Sequence, residues 1–88
     1  MKNKEFTQYA KDLVHNYICE HWDKTQESID FDVYITWYCY ELGHNKALLT
    51  STLPDGMYYE VTFNSNKNEI YLDAYKKLEN KCFELGDK

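Results

Sequence analysis

The chain contains no arginine: its ten basic residues are all lysine, they face fifteen Asp and Glu, and the formal net charge is −5. Surfaces that track phosphates use clustered cations, above all the bidentate guanidinium fork, so this composition argues against nucleic acid as the main partner. An acidic protein is better suited to basic partner surfaces, including those that ordinarily hold nucleic acid. Proline occurs once and glycine three times, so no proline- or glycine-rich linker divides the chain. Residues 1–88 are read as a single domain, of a size that buries roughly 60 to 65% of its unfolded surface. The three cysteines, Cys19, Cys39 and Cys82, are odd in number and form no CxxC pair, which excludes a disulfide framework and a zinc knuckle as readings. Long apolar runs are missing too. "MKNKEFTQYA" lacks a signal-peptide core, and nothing approaches the ~20 apolar residues of a membrane span. The expectation is a soluble cytoplasmic protein with reduced thiols and no membrane contact. Scarce Arg, Gly and Pro beside abundant Asn, Lys and Tyr also point to an AT-rich genome.

Aromatics, by contrast, are plentiful: they make up 17% of the chain, and nine of them are Tyr. Phe6, Ala10, Leu13, Val14, Tyr17 and Ile18 recur at three- and four-residue steps, which predicts a helix from Lys4 to Trp22. "DKTQESID", Asp23 to Asp30, has no periodicity and reads as a polar connector. "FDVYITWYCYEL" is β-branched and aromatic with a two-residue alternation, a strand with Val33, Ile35, Trp37 and Cys39 on one face and Tyr34, Thr36, Tyr38 and Tyr40 on the other. Gly43 and Asn45 in "LGHNK" can adopt the left-handed conformations of a tight turn, after which "KALLTST" forms a second strand. In "STLPDGMYYEV", Pro54, Asp55 and Gly56 carry the chemistry of a hairpin turn, so the Asp55 carboxylate is read as a turn residue and not as a catalytic group. "MYYEVTF" is a third strand and "NSNKN" a second turn. The last segment is read as a short strand near Glu69–Leu72 followed by a helix capped by Asp73 and ended by Gly86, because Tyr71, Tyr75, Leu78, Cys82 and Leu85 keep helical spacing. The predicted fold is α+β, α-β-β-β-(β)-α, an antiparallel sheet covered on one face by two helices.

Motifs for chemistry are sparse. His15 and Cys19, one helical turn apart, have the spacing of two metal ligands but no recognisable further pair, so no metal site is expected. His21 at the edge of the apolar stripe reads as a hydrogen-bonded, partly buried histidine. Glu27, Asp30 and Asp32 read as a solvated acidic edge, and Cys39 and Cys82 as small core residues. No phosphate loop, nucleophile elbow or HExxH motif occurs. The chain is read as having no catalytic residues and no cofactor.

"KALLTSTLPDGMYYEVTFN" and "EIYLDAYKKLEN", preceded by the aromatic "ITWYCYEL" strand, resemble a family of small uncharacterised proteins encoded by phages and prophages of Gram-positive bacteria. The resemblance covers nearly the whole chain and implies a phage origin, a bacterial host cytoplasm and no particular activity. The predicted element order is also that of double-stranded RNA-binding domains, a likeness of topology alone, because the expected final helix starts at Asp73 where those domains place lysines.

With two helices over the face that bears Val33, Ile35, Trp37, Tyr59, Val61 and Phe63, the other face would carry Tyr34, Tyr38, Tyr40, Leu48, Thr50, Tyr58 and Thr62. Tyrosine supplies large contact area at low entropic cost while keeping a polar tip. Tyr34, Tyr38, Tyr40, Tyr58, Thr50 and Thr62 are therefore the candidate partner-binding residues. The expected function is a non-enzymatic accessory protein that binds a host or phage protein, inhibition of a defence or nucleic-acid enzyme being one form, with homodimerisation through the same face as a variant. The alternative is a module that stacks single-stranded bases on these tyrosines.

Overall fold

A computed structural model of the protein describes residues 2–22 and 30–86. The connector expected at Asp23–Asp30, apart from Asp30 itself, and Glu27 of the acidic edge lie outside the described residues. Helix α1 spans Asn3–His21, and four strands follow: β1 Val33–Glu41, β2 His44–Ser51, β3 Met57–Asn64 and β4 Glu69–Lys76. They form one antiparallel sheet in the order β1-β2-β3-β4.

The helix forms as its periodicity predicts. Phe6, Ala10, Val14 and Ile18 are buried at steps of four residues, with Leu13 and Tyr17 packed beside them. This stripe rests on β1, β2 and β3, where Ala47, Leu49, Tyr59, Val61 and Phe63 complete the core. Glu5 lies in the first turn, where a carboxylate favours its end of the helix dipole, and His21 lies in the last. His21 is exposed, contrary to expectation, although its Nδ1 lies 2.9 Å from the Tyr17 carbonyl oxygen.

Three corrections to the sequence reading follow. The first hairpin turns on Leu42 and Gly43, with φ of 51° and 81°. Asn45 is not a turn residue but is buried in β2. A Cβ on Gly43 would sit 3.0 Å from Ser65 Oγ, so this glycine serves both the left-handed turn and a close approach of the neighbouring turn.

The second correction is a β-bulge. Ile35 pairs with Leu49, yet Trp37 pairs with Leu48, leaving Thr36 as an extra residue whose hydroxyl donates to the Leu48 carbonyl at 3.2 Å. One unpaired residue reverses the facing of everything beyond it. Val33 and Ile35 face the helix as expected, but Tyr38 and Tyr40 then do so as well, opposite Ala47 and Asn45. Trp37 and Cys39 point to the uncovered side.

The third correction concerns the end of the chain. No second helix forms among the described residues; β4 runs on to Lys76, and 77–86 continue beyond it without helix or strand. The physical reason is the alternation of Ile70, Leu72 and Ala74, which pair with Phe63, Val61 and Tyr59 on the helix side. Following that alternation satisfies the backbone along the whole of β3, which the helical spacing of Tyr71 and Tyr75 would not. Asp73 is accordingly a strand residue opposite Glu60, not a helix cap. Cys82, expected in a core, is exposed. With one helix among the described residues, the topological likeness to RNA-binding domains is lost.

Candidate protein-binding face

The sheet face turned away from α1 is organised in rows by the strand register. Tyr34 lies opposite Thr50, Thr50 opposite Tyr58, and Tyr58 opposite Tyr75. With strands ~4.8 Å apart, this row spans about 14 Å. Tyr58 and Tyr75 stack with ring centroids 5.2 Å apart and planes 19° from parallel. The next row runs Trp37, Leu48, Glu60, Asp73, and the third Cys39, Lys46, Thr62, Tyr71. Tyr34, Trp37, Tyr58, Tyr71 and Tyr75 are 41 to 47% exposed, so each ring is held at its base and leaves its edge and tip to a partner.

Of the residues expected here, Tyr34, Thr50, Tyr58 and Thr62 are on this face. Tyr38 and Tyr40 are not: the bulge turns them to the helix side, where the Tyr38 ring lies 5.9 Å from that of Phe6. Sequence reasoning missed Trp37, which it assigned to the core, Tyr75, which it placed on a helix, and Tyr71, which it placed on the short strand near Glu69–Leu72 without counting it to this face. The alternation of Ile70, Leu72 and Ala74, followed two residues further, is the signal that reveals both tyrosines.

The electrostatics of the face are acidic. Lys46 shares the face with Glu60, Asp73 and Glu69, and its contact with Glu60, 3.9 Å long between an exposed ammonium and a partly buried carboxylate, is loose. The Glu60 carboxylate foremost, then burial, Asp73 and Tyr58, raise the Tyr75 phenol above its ordinary value. Burial, followed by Glu69, does the same to Tyr71. Both remain neutral hydroxyls, able to donate and accept, across the physiological range.

A shallow hollow of about 350 Å³, lined in part by Trp37, Cys39, Glu41, Leu42, His44 and Lys46, opens beside the first hairpin turn. His44 Nδ1 accepts the Ser65 amide at 3.2 Å, which fixes the ring to the neighbouring turn. Elsewhere, His15 stacks on Phe31 with centroids 4.8 Å apart, and its Nδ1 lies 3.7 Å from Cys19 Sγ. Among the described residues, no three His, Cys, Asp or Glu side chains are gathered as metal ligands would be. Asp55 takes the turn role predicted for it, its carboxylate accepting the Met57 amide at 3.0 Å while Gly56 adopts φ of 70°.

Among the described residues, an antiparallel sheet backed on one face by a single helix defines a small α+β protein. The chain belongs to a family of unknown function, DUF6275, whose model matches residues 7–85. No curated protein and no solved structure matches it. Among the described residues, no helix is long and apolar enough to cross a membrane.

Proposed function

We propose that the protein is a non-enzymatic accessory factor that binds another protein through the open sheet face, with Tyr34, Trp37, Tyr58 and Tyr75 as the anchors and Thr50 and Thr62 between and beside them. The observation that carries this reading is the row Tyr34, Thr50, Tyr58 and Tyr75 across the four strands, in which β1, β3 and β4 each contribute a half-exposed ring. Aromatic side chains held at their bases lose little entropy on binding and dominate interface energetics. The acidic groups among them favour a basic partner surface. A phage-derived factor that occupies the nucleic-acid site of a host or defence enzyme in the bacterial cytoplasm fits this chemistry. Stacking of single-stranded bases on the same rings is disfavoured, because Glu60, Asp73 and Glu69 outnumber Lys46 where a phosphate backbone would lie.

The test is a paired capture. Wild-type protein and the variant Trp37→Ser/Tyr58→Ser, shown by circular dichroism to be folded, are used side by side on host lysate and on single-stranded oligonucleotides. A protein retained by the wild type and lost by the variant supports the reading. Equal retention by both, or retention of oligonucleotide instead, overturns it.

A further inference from the structure

Beyond Lys76 the chain leaves the sheet. The Lys77 amide still donates to the Gly56 carbonyl at 2.8 Å; from there to residue 86 the chain runs on with no helix, turn or bend and no strand partner among the described residues. This arm carries large apolar side chains among its charges. Leu78, Phe83 and Leu85 are 98, 77 and 85% exposed. The radius of gyration is 15.8 Å, against about 12 Å for a compact chain of this length. The family match extends to residue 85, so the arm belongs to the unit that the family shares. A segment that continues the free edge of β4 with unpaired backbone groups and bare apolar side chains is a template for pairing with another chain.

Alternation along an extended arm places Tyr75, Lys77, Glu79, Lys81, Phe83 and Leu85 on the open side, and Lys76, Leu78, Asn80, Cys82 and Glu84 on the helix side. The Glu79 carboxylate and Lys81 ammonium, two residues apart and 3.6 Å from one another, lie on one side as this requires.

We infer that the arm pairs antiparallel with the arm of a second copy, about a two-fold axis at Asn80. Charge selects that register. A two-fold axis normal to the sheet brings opposite one another only residues on the same face. Centring on Glu79 would set it against itself and Lys77 against Lys81; centring on Lys77 or Lys81 would also oppose like charges, which destabilises a strand pair. Centring on Leu78 would set Asp73 against Phe83 and Leu72 against Glu84. Centring on Asn80 instead opposes Lys76 to Glu84, Glu79 to Lys81, Leu78 to Cys82 and Tyr75 to Leu85, with Lys77 against Phe83 as its one charge-on-apolar pair, and symmetry repeats each pair. The two sheets join into one of eight strands, and both open faces lie on the same side. This goes beyond the proposed partner binding and does not rest on it.

Sedimentation equilibrium tests the pairing on the full chain. Wild type is expected to dimerise. Glu79→Lys and Lys81→Glu, both on the exposed arm, are each expected to weaken association about 10-fold or more, because each creates two like-charge pairs. Mixing the two variants restores opposite charges at both positions and is expected to recover the dimer. A wild type still monomeric at ~100 μM, a dimer indifferent to both variants, or a mixture no stronger than its components overturns the inference. Register is read separately by oxidation. Leu78→Cys is expected to cross-link to Cys82 of the other copy, and Cys82→Ser to abolish that link; a link that survives Cys82→Ser would place Leu78 on the axis and overturn the register.

Discussion

The Tyr38 hydroxyl donates to Asn3 Oδ1 and accepts from Asn45 Nδ2, each at 2.7 Å. One phenol thereby joins the first residue of α1 to the buried asparagine of β2. Replacing Tyr38 with Thr removes a packed ring and leaves Asn45, whose Oδ1 already has no partner among the described residues, without its remaining bond. The expected loss is ~2 to 4 kcal/mol in urea denaturation. Trp37→Thr, one residue earlier on the open face, should cost about 1 kcal/mol or less. The opposite ranking would place the bulge elsewhere.

The β2–β3 turn separates a side-chain role from a backbone one. Asp55→Asn keeps an oxygen for the Met57 amide and should change stability by less than ~0.5 kcal/mol. Gly56→Val forces a β-branched residue to positive φ and should lose more than ~1 kcal/mol. Equal midpoints for the two variants would contradict the turn geometry.

Tyr59, buried beneath Tyr17 with their centroids 5.7 Å apart, has its phenol pushed above the ordinary range by burial first, then by Asp55 and Tyr17. A folded value above the unfolded one means that the native state holds the proton longer. The associated stability is complete below about pH 10 and is lost as pH rises past it through the folded value. Melting temperature should therefore fall above about pH 10, and Tyr59→Phe should fall less steeply over the same interval. Parallel curves for the two proteins would assign the alkaline loss to other groups.

The stacked pair on the open face offers a direct energetic measurement. A double-mutant cycle with Tyr58→Thr and Tyr75→Thr should give a coupling of about 0.5 to 1 kcal/mol, typical of cross-strand aromatic pairs. Zero coupling would mean that the rings do not stack in solution and that β4 does not extend as far as Tyr75.

The sequence announced α1 and the first three strands because in each one signal acted alone: four-residue steps from Phe6 to Ile18, alternation from Met57 to Phe63, turn chemistry at Asp55 and Gly56. It misled where two signals overlapped. Between Ile70 and Leu85, two-residue and helical spacings coexist, and the partner strand decides between them. Only the cross-strand fit of Leu72 to Val61 and Ala74 to Tyr59 resolves that choice, and pairing of that kind is invisible in a single linear pattern. The bulge was illegible for a related reason. "YITWYCY" alternates just as well with Thr36 counted as without it, because both phases present large side chains. The candidate face was therefore legible on β2 and β3, half legible on β1 and misread on β4.

That extra residue divides β1 into two half-strands of opposite phase. A substitution at Trp37 exchanges one ring on a surface that otherwise stays the same. Removing Thr36 would only iron out the bulge and leave Trp37 opposite Leu48. Pairing Thr36 itself with Leu48 would instead carry Trp37 and Cys39 under the helix and bring Tyr38 and Tyr40 out, replacing the outer half of a strand in one event. The quickest route for such a chain to a new surface is thus a slip of one residue in the pairing of β1 with β2, with its amino-acid composition untouched.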